Sequence, residues 1–159
     1  MKFLIFTLVT AFLQASAWAA IPSKSISHQG GIAGSGFSIL DAGLISAKNK
    51  ERIVLSIGDQ DGKRFLGRPG YYFAEYKPQT QELRVDFSQI LSSRIQEEQL
   101  VAKLKKAKLV QKSEMILDPI DSTLQMKFKL SPGTKVKFYE VKGKKQTAKV
   151  VIDITKVTK

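Results

Sequence analysis

The chain has no cysteine, one histidine, one tryptophan and few acids for its many bases. Without cysteine there is no disulfide framework, no thiol nucleophile and no thiolate metal ligand, so packing alone must hold the fold. The single His28 sits in a run containing Gly30, Gly31, Gly34 and Gly36, which offers little to position a Ser/His pair or a histidine-based metal site. Those glycines precede no Lys-Ser/Thr and no strand-to-helix pattern, which argues against a phosphate loop. Asp118 and Asp121 lie in Leu117-Asp118-Pro119-Ile120-Asp121-Ser122, a run that reads first as a turn and only second as an acid/base pair. This inventory points away from an enzyme, and no metal or cofactor is expected.

Long hydrophobic runs are also scarce. The one present, Phe3 to Leu13, follows Met1-Lys2 and precedes Ala17-Trp18-Ala19. A basic start, an apolar stretch and a small-x-small site make residues 1–19 an export signal, with cleavage after Ala19. The run is too short for a membrane span of roughly 20 residues, so no transmembrane span is expected in the mature chain. The expected location is periplasmic or secreted.

Lysine is what the chain has in plenty. Lys and Arg number 26 against 14 acids, a formal charge of +12 that falls by one when Lys2 leaves with the signal. A lysine-dominated excess suits diffuse attraction to polyanions better than bidentate recognition, where arginine dominates. An exported protein meets anionic wall polymers, lipopolysaccharide or anionic lipid well before nucleic acid, so nucleic acid is not expected as a partner. The plainer alternative is that the basic composition only keeps the protein soluble.

Residues 20–36, rich in Ser and Gly, read as a flexible lead-in, and residues 37–157 as a single domain long enough to bury its own core. Arg52 to Ile57 alternates as a strand, and Tyr71 to Lys77 with Leu83 to Ser88 reads as a hairpin across Pro78-Gln79-Thr80-Gln81. From Ser93 to Ala107 the period changes. Leu100, Leu104 and Ala107 recur at helical spacing, Ser93 with Gln96 resembles a capping box, and lysines gather at the end, which predicts one short amphipathic helix. Its lysines read as a solvated face, with an anion site as the alternative.

Two stretches echo each other. Phe73-Ala74-Glu75-Tyr76-Lys77 and Phe138-Tyr139-Glu140-Val141-Lys142 share F-x-E-x-K. Each leads to an apolar-Asp-apolar strand, Val85-Asp86-Phe87 or Ile152-Asp153-Ile154, and each follows a strand-like run. The reading is a mainly β fold, a small antiparallel β-sandwich of two pseudo-repeated three-strand units with one short helix between them. Chance alignment of alternating strands is the alternative.

Thr123 to Leu130 alternates most cleanly, with Leu124, Met126, Phe128 and Leu130 on one face and Gln125, Lys127 and Lys129 on the other. Ser131-Pro132-Gly133 then reads as a three-residue hairpin loop, Gly133 supplying the left-handed position. That register sets Phe128 against Val136 and Met126 against Phe138 inside, with Lys129 opposite Lys135 and Lys127 opposite Lys137 outside. Opposed like charges disfavour a hairpin by up to about 1 kcal/mol per pair, a cost that solvent and salt screen or an anionic ligand relieves. If Phe138 points inward, the repeat puts Phe73 inward and leaves Tyr72, Tyr76 and Tyr139 outward beside the lysines. Tyr rings stack on sugar C–H faces while hydroxyl and ammonium groups meet oxygens, which makes Tyr72, Tyr76, Tyr139, Lys127, Lys129, Lys135 and Lys137 a candidate glycan-binding face. Tyrosines capping the core edge are the alternative.

The export signal, Arg52-Ile53-Val54-Leu55-Ser56-Ile57, Leu83-Arg84-Val85-Asp86-Phe87, the intervening helix and the closing Ala148-Lys149-Val150-Val151-Ile152-Asp153-Ile154 together resemble the AMIN domain family. Such domains are small β modules at the N-terminus of periplasmic cell-wall amidases and in type IV pilus secretins. The resemblance implies a sandwich of two small sheets with internal pseudo-symmetry, targeting through contact with peptidoglycan, and no activity of its own. Gln125 departs from it, standing near where these domains often carry Arg. The expected function is a non-enzymatic exported binding or targeting module contacting peptidoglycan or another anionic envelope glycan. The alternative is a periplasmic protein-interaction module that docks to or inhibits an envelope enzyme or a secretion or pilus complex.

Overall fold

The computed structural model of the protein describes residues 24 to 157 except residue 35. The expected export signal lies outside the described residues. The elements run β1 (Ile26–Gly30), β2 (Phe37–Ala47), β3 (Lys50–Asp59), β4 (Tyr72–Lys77), β5 (Glu82–Phe87), β6 (Ile90–Ser93), α1 (Glu97–Leu104), β7 (Val110–Asp118), β8 (Thr123–Leu130), β9 (Thr134–Val141) and β10 (Ala148–Lys156). The protein is mainly β, with one short helix.

The strands form two five-stranded sheets, ordered β1-β4-β5-β8-β7 in the first and β6-β2-β3-β10-β9 in the second. All pairings are antiparallel except β2 with β6. The period-2 pattern explains the core. Leu83, Val85 and Phe87 of β5 and Leu124, Met126, Phe128 and Leu130 of β8 turn inward from the first sheet. Ile53, Leu55 and Ile57 of β3 and Val150, Ile152 and Ile154 of β10 belong to the same buried cluster from the second. Each such aliphatic side chain, fully buried, contributes roughly 1.5–3 kcal/mol.

Helix α1 closes one open side, contacting β7 and β2 and burying Leu100 and Leu104. The expected capping box is absent: Gln96 is the N-cap and makes no side-chain cap bond. Ser93 Oγ instead bonds the backbone of Ile95, 3.2 Å from its N–H and 2.7 Å from its carbonyl. Buried Glu51 fixes the chain after the helix, accepting the N–H groups of Lys108 at 2.5 Å and Leu109 at 2.9 Å.

Three further expectations need correction. The lead-in contains a strand, since Ile26–Gly30 pairs with Tyr72–Tyr76 along the edge of the first sheet. Alternation of Ile26 and His28 with Ser27 and Gln29 lets a short, glycine-flanked run bury one face. Ser131-Pro132-Gly133 is no hairpin loop. It carries the chain from β8 in the first sheet to β9 in the second, with Gly133 at φ 69°. The apolar faces of both strands still point inward, but across the core rather than side by side. The switch also keeps the lysines apart: Lys127 stands between Arg84 and Glu114, Lys129 between Glu82 and Lys112, Lys135 beside Thr155 and Lys137 beside Asp153.

The F-x-E-x-K match is out of register by one residue. Val85 pairs with Ala74, whereas Ile152 pairs with Phe138, so Phe73 and Phe138 do not stand at the same place against their partner strands. A slip of one residue exchanges the two faces of a strand. Phe73 therefore faces outward, and Tyr72 and Tyr76 lie in the core at 0% and 1% exposure. Tyr76 Oη reaches across the layers to Thr134, 3.0 Å from its Oγ1.

Candidate functional site

The seven residues predicted as one face are divided among three places. Tyr72 and Tyr76 are core, Lys127 and Lys129 lie on the outer face of the first sheet, and Lys135, Lys137 and Tyr139 lie on the outer face of the second. The two outer faces differ in charge. On the first sheet acids stand among the cations: Arg84 pairs with Asp86, Lys77 with Glu75 and Lys112 with Glu114, while Lys129 is cross-strand to Glu82. Gln125 Nε2 donates to Asp86 Oδ1 at 2.8 Å. Alternating signs across a sheet stabilise it and leave little net field.

The outer face of the second sheet is built differently. The register lines Tyr139, Val151, Val54 and Gly43 into one row across β9, β10, β3 and β2. The neighbouring row is Lys137, Asp153, Arg52 and Ile45, and the next is Lys135, Thr155, Lys50 and Ala47. Alternation along each strand puts these residues outward because Phe138, Ile152 and Ile53 face in. Val151 is only 3% exposed although it points away from the core, and Tyr139 is half-buried. A Cβ added to Gly43 would meet nothing closer than the Val54 carbonyl oxygen at 4.0 Å, so the row ends in an open shelf.

Asp153 organises the basic side chains around this row. Arg52 grips it in a two-pronged contact, Nε to Oδ1 at 2.6 Å and Nη2 to Oδ2 at 3.0 Å, and Lys50 Nζ stands 2.7 Å from Oδ2. The Arg52 hydrogen bonds outweigh partial burial and, with Lys50, hold the Asp153 carboxyl at about 2. Fixed in this way, the Arg52 guanidinium lies 5.6 Å from the centre of the Tyr139 ring. Such a contact locks the ring at little entropic cost. Asp153 is thus occupied by Arg52 and Lys50, while its cross-strand neighbour Lys137 and the next lysine, Lys135, project exposed.

The result is a flat aromatic and aliphatic strip beside exposed ammonium groups. It can stack against a sugar ring or another flat apolar surface and attract carboxylates or phosphates. Arg52, Asp153, Val54 and Val151 escaped the sequence reading. The signal that could have found them is Arg-Ile-Val in one strand and Val-Val-Ile-Asp in another, whose outward residues meet only when the strands are paired.

A second cluster closes the side between β1 and β9. Glu140 Oε1 accepts from Arg68 Nε at 2.6 Å and its Oε2 from the Gly31 N–H at 2.8 Å. Burial works against ionisation, but these donors prevail and hold the Glu140 carboxyl below its ordinary range. His28 stacks on Phe138 with ring centres 6.2 Å apart and tilts against Tyr72 at 5.8 Å. The Tyr72 hydroxyl is buried without a partner among the described residues, and burial, aided by the Glu140 charge, pushes it up to about 12. Among the described residues, no three His, Asp or Glu side chains are grouped to hold a metal ion, and no helix is long and apolar enough to cross a membrane. No protein-family model matches the chain, and no curated protein matches it.

Proposed function

We propose that this protein is a non-enzymatic, exported binding module of the bacterial cell envelope that contacts peptidoglycan or another anionic envelope glycan. The contact is made by the outer face of the second sheet, through Tyr139, Lys135 and Lys137. One observation carries the reading: of two exposed sheet faces, this one combines an aromatic strip, braced by Arg52, with rows in which Lys50, Arg52, Lys135 and Lys137 surround the single acid Asp153. The other face has its charges balanced.

The resemblance to AMIN domains and the sandwich of pseudo-repeated units belong to the same proposal. Support comes from the strand order. β3-β4-β5 and β8-β9-β10 each contribute a hairpin to one sheet and a first strand to the other, so β8 lies beside β5 and β3 beside β10. Exchange of that kind is what two copies of one unit related by a twofold axis produce. The module acts by adhesion, so it needs neither a nucleophile nor a cofactor.

The test is retention on purified, protein-free peptidoglycan sacculi. The parent should be retained more than an unrelated basic protein of similar charge. Lys135→Gln/Lys137→Gln/Tyr139→Ala should lose most of that retention, while Lys127→Gln/Lys129→Gln should keep it. Equal retention of both variants sinks the assignment to this face.

A second reading, docking to an envelope protein, is favoured by the grooves flanking α1. One is floored by Val101, Leu104 and Val110 and rimmed by Lys105, Lys108 and Lys112, with no acid lining it. Salt separates the readings, because lysine-driven polyanion binding weakens steeply with ionic strength whereas an apolar interface persists.

A further inference from the structure

One end of the molecule gathers the loops that precede β2, β4, β6, β8 and β10, and it carries most of the apolar surface left uncovered. Ile32 is 40% exposed, Leu66 58%, Tyr71 39%, Leu91 57% and Ile120 91%. Among the described residues the other large hydrophobics of comparable exposure are Ile116, Leu117 and Val141, on the ends of β7 and β9 that lead into these loops, and Ile45 and Val101 away from them. Backbone hydrogen bonds stitch the loops together: Ile32 N to Pro69 O, Ser88 N to Tyr71 O, Ile90 N to Ser122 O, and Gly67 with Gly143 in both directions. The apolar side chains are therefore held as separate projecting points on a firm platform. Exposed apolar groups concentrated at one place mark a contact surface.

The charges around them favour an anionic partner. Arg64, Lys142, Lys144 and Lys145 are exposed in these same loops. The acids in and beside these loops, Asp59, Asp61, Asp118, Asp121 and Glu140, keep their charge but are outnumbered by Lys63, Arg64, Arg68, Lys142, Lys144 and Lys145, and three of them are turned to local partners. Asp59 accepts the N–H groups of Asp61 and Lys63, Asp118 those of Ile120 and Asp121, and Glu140 is held by Arg68 and Gly31. Isolated apolar points on several loops do not make the continuous cleft that seats a protein segment. They do match a surface soft enough to admit each point separately while its headgroups meet the ammonium and guanidinium groups.

We propose that this end docks on an anionic lipid surface, with Leu66, Leu91 and Ile120 entering the headgroup layer and Arg64, Lys142, Lys144 and Lys145 facing lipid phosphates. The inference does not depend on glycan binding by the outer face of the second sheet. It gives the protein two contacts, a membrane at one end and a polymer on one side.

The test places a reporter at the loop tip. Ile120→Trp, made in the mature chain that starts at Ala20 and has lost Trp18 with the signal, so that it is the only tryptophan, is mixed with vesicles of phosphatidylglycerol and phosphatidylethanolamine. Its emission should move to shorter wavelength and be quenched by lipids brominated on their acyl chains, with no such change for phosphatidylcholine vesicles. Leu66→Ser/Leu91→Ser added to that protein should weaken the vesicle-dependent change about tenfold or more. Lys142→Gln/Lys144→Gln/Lys145→Gln should weaken it more than Lys105→Gln/Lys106→Gln/Lys108→Gln at the far end. Emission that stays solvent-like while the protein sediments with vesicles overturns the proposal, as does equal loss from the two lysine sets, which indicates unoriented charge attraction. A Lys135→Gln/Lys137→Gln variant should respond like its parent, so failure here and failure of the glycan reading are told apart.

Discussion

Replacing Tyr72 with Phe should flatten the alkaline side of the stability profile. The Tyr72 hydroxyl is fully buried, has no partner among the described residues and sits where burial pushes its ionisation up to about 12. An unfolded tyrosine titrates near about 10. Below that pH both states hold the proton and the fold keeps its full stability. Above it the unfolded chain releases the proton while the folded chain retains it, so stability falls as pH rises towards 12, by roughly 2–3 kcal/mol at about 1.4 kcal/mol per unit. Phenylalanine has no proton to lose. At neutral pH it also removes an unpartnered buried hydroxyl, which should leave stability unchanged or raise it by about 1 kcal/mol. In a domain of this size that corresponds to a gain of up to about 3–5 °C in Tm. The assay is thermal unfolding of parent and Tyr72→Phe from pH 7 to pH 11. Lysines titrate in the same range in both proteins, so the difference isolates Tyr72. A gap that stays constant with pH, or a variant several degrees less stable at neutral pH, refutes the reasoning.

Other outcomes follow from the same geometry. Phe138→Ala should cost about 3–5 kcal/mol by opening a cavity between β9 and the layer beyond it, read as a fall in the urea midpoint, and a midpoint equal to the parent's contradicts the inward placement. Asp153, held at about 2 by Arg52 and Lys50, stabilises the fold above the ordinary carboxylate range and loses that contribution as pH falls. Asp153→Asn should therefore show a drop in stability between pH 5 and pH 2 about 2 kcal/mol smaller than the parent's, measured by urea unfolding at both pH values. Glu51→Ala should cost about 1–3 kcal/mol by orphaning the Lys108 and Leu109 N–H groups, and hydrogen exchange at those two amides should rise ahead of the β3 amides.

Much of the fold was legible in the chain because strand alternation is a local signal. β3, β4, β5 and β8 were all readable as strands, and the in-and-out assignment of Phe128, Phe138, Lys127 and Lys137 holds in the structure. What the chain could not reveal was which strand lies beside which. Ser131-Pro132-Gly133 suits a hairpin and a crossing between layers equally, since both need a left-handed residue at Gly133. The tyrosines were misplaced for a related reason. F-x-E-x-K matches by letters, but Val85 pairs with Ala74 and Ile152 with Phe138, so the matching letters fall on opposite faces of their strands. The proposed face is half visible in the chain: Tyr139, Lys135 and Lys137 sit on one strand, whereas Arg52 and Asp153 join them only through pairings across β3, β10 and β9.

The central claim is that one sheet face recognises an anionic envelope glycan, and the most direct measurement is amide chemical-shift mapping during titration with a soluble disaccharide-peptide fragment of peptidoglycan. The account predicts saturable shifts at Lys135, Lys137 and Tyr139 of β9, at Val151 and Asp153 of β10 and at Arg52 of β3, with the Lys127 and Lys129 amides unmoved. Shifts centred on Lys127, Lys129 and Glu114, or none at saturating fragment, would contradict it.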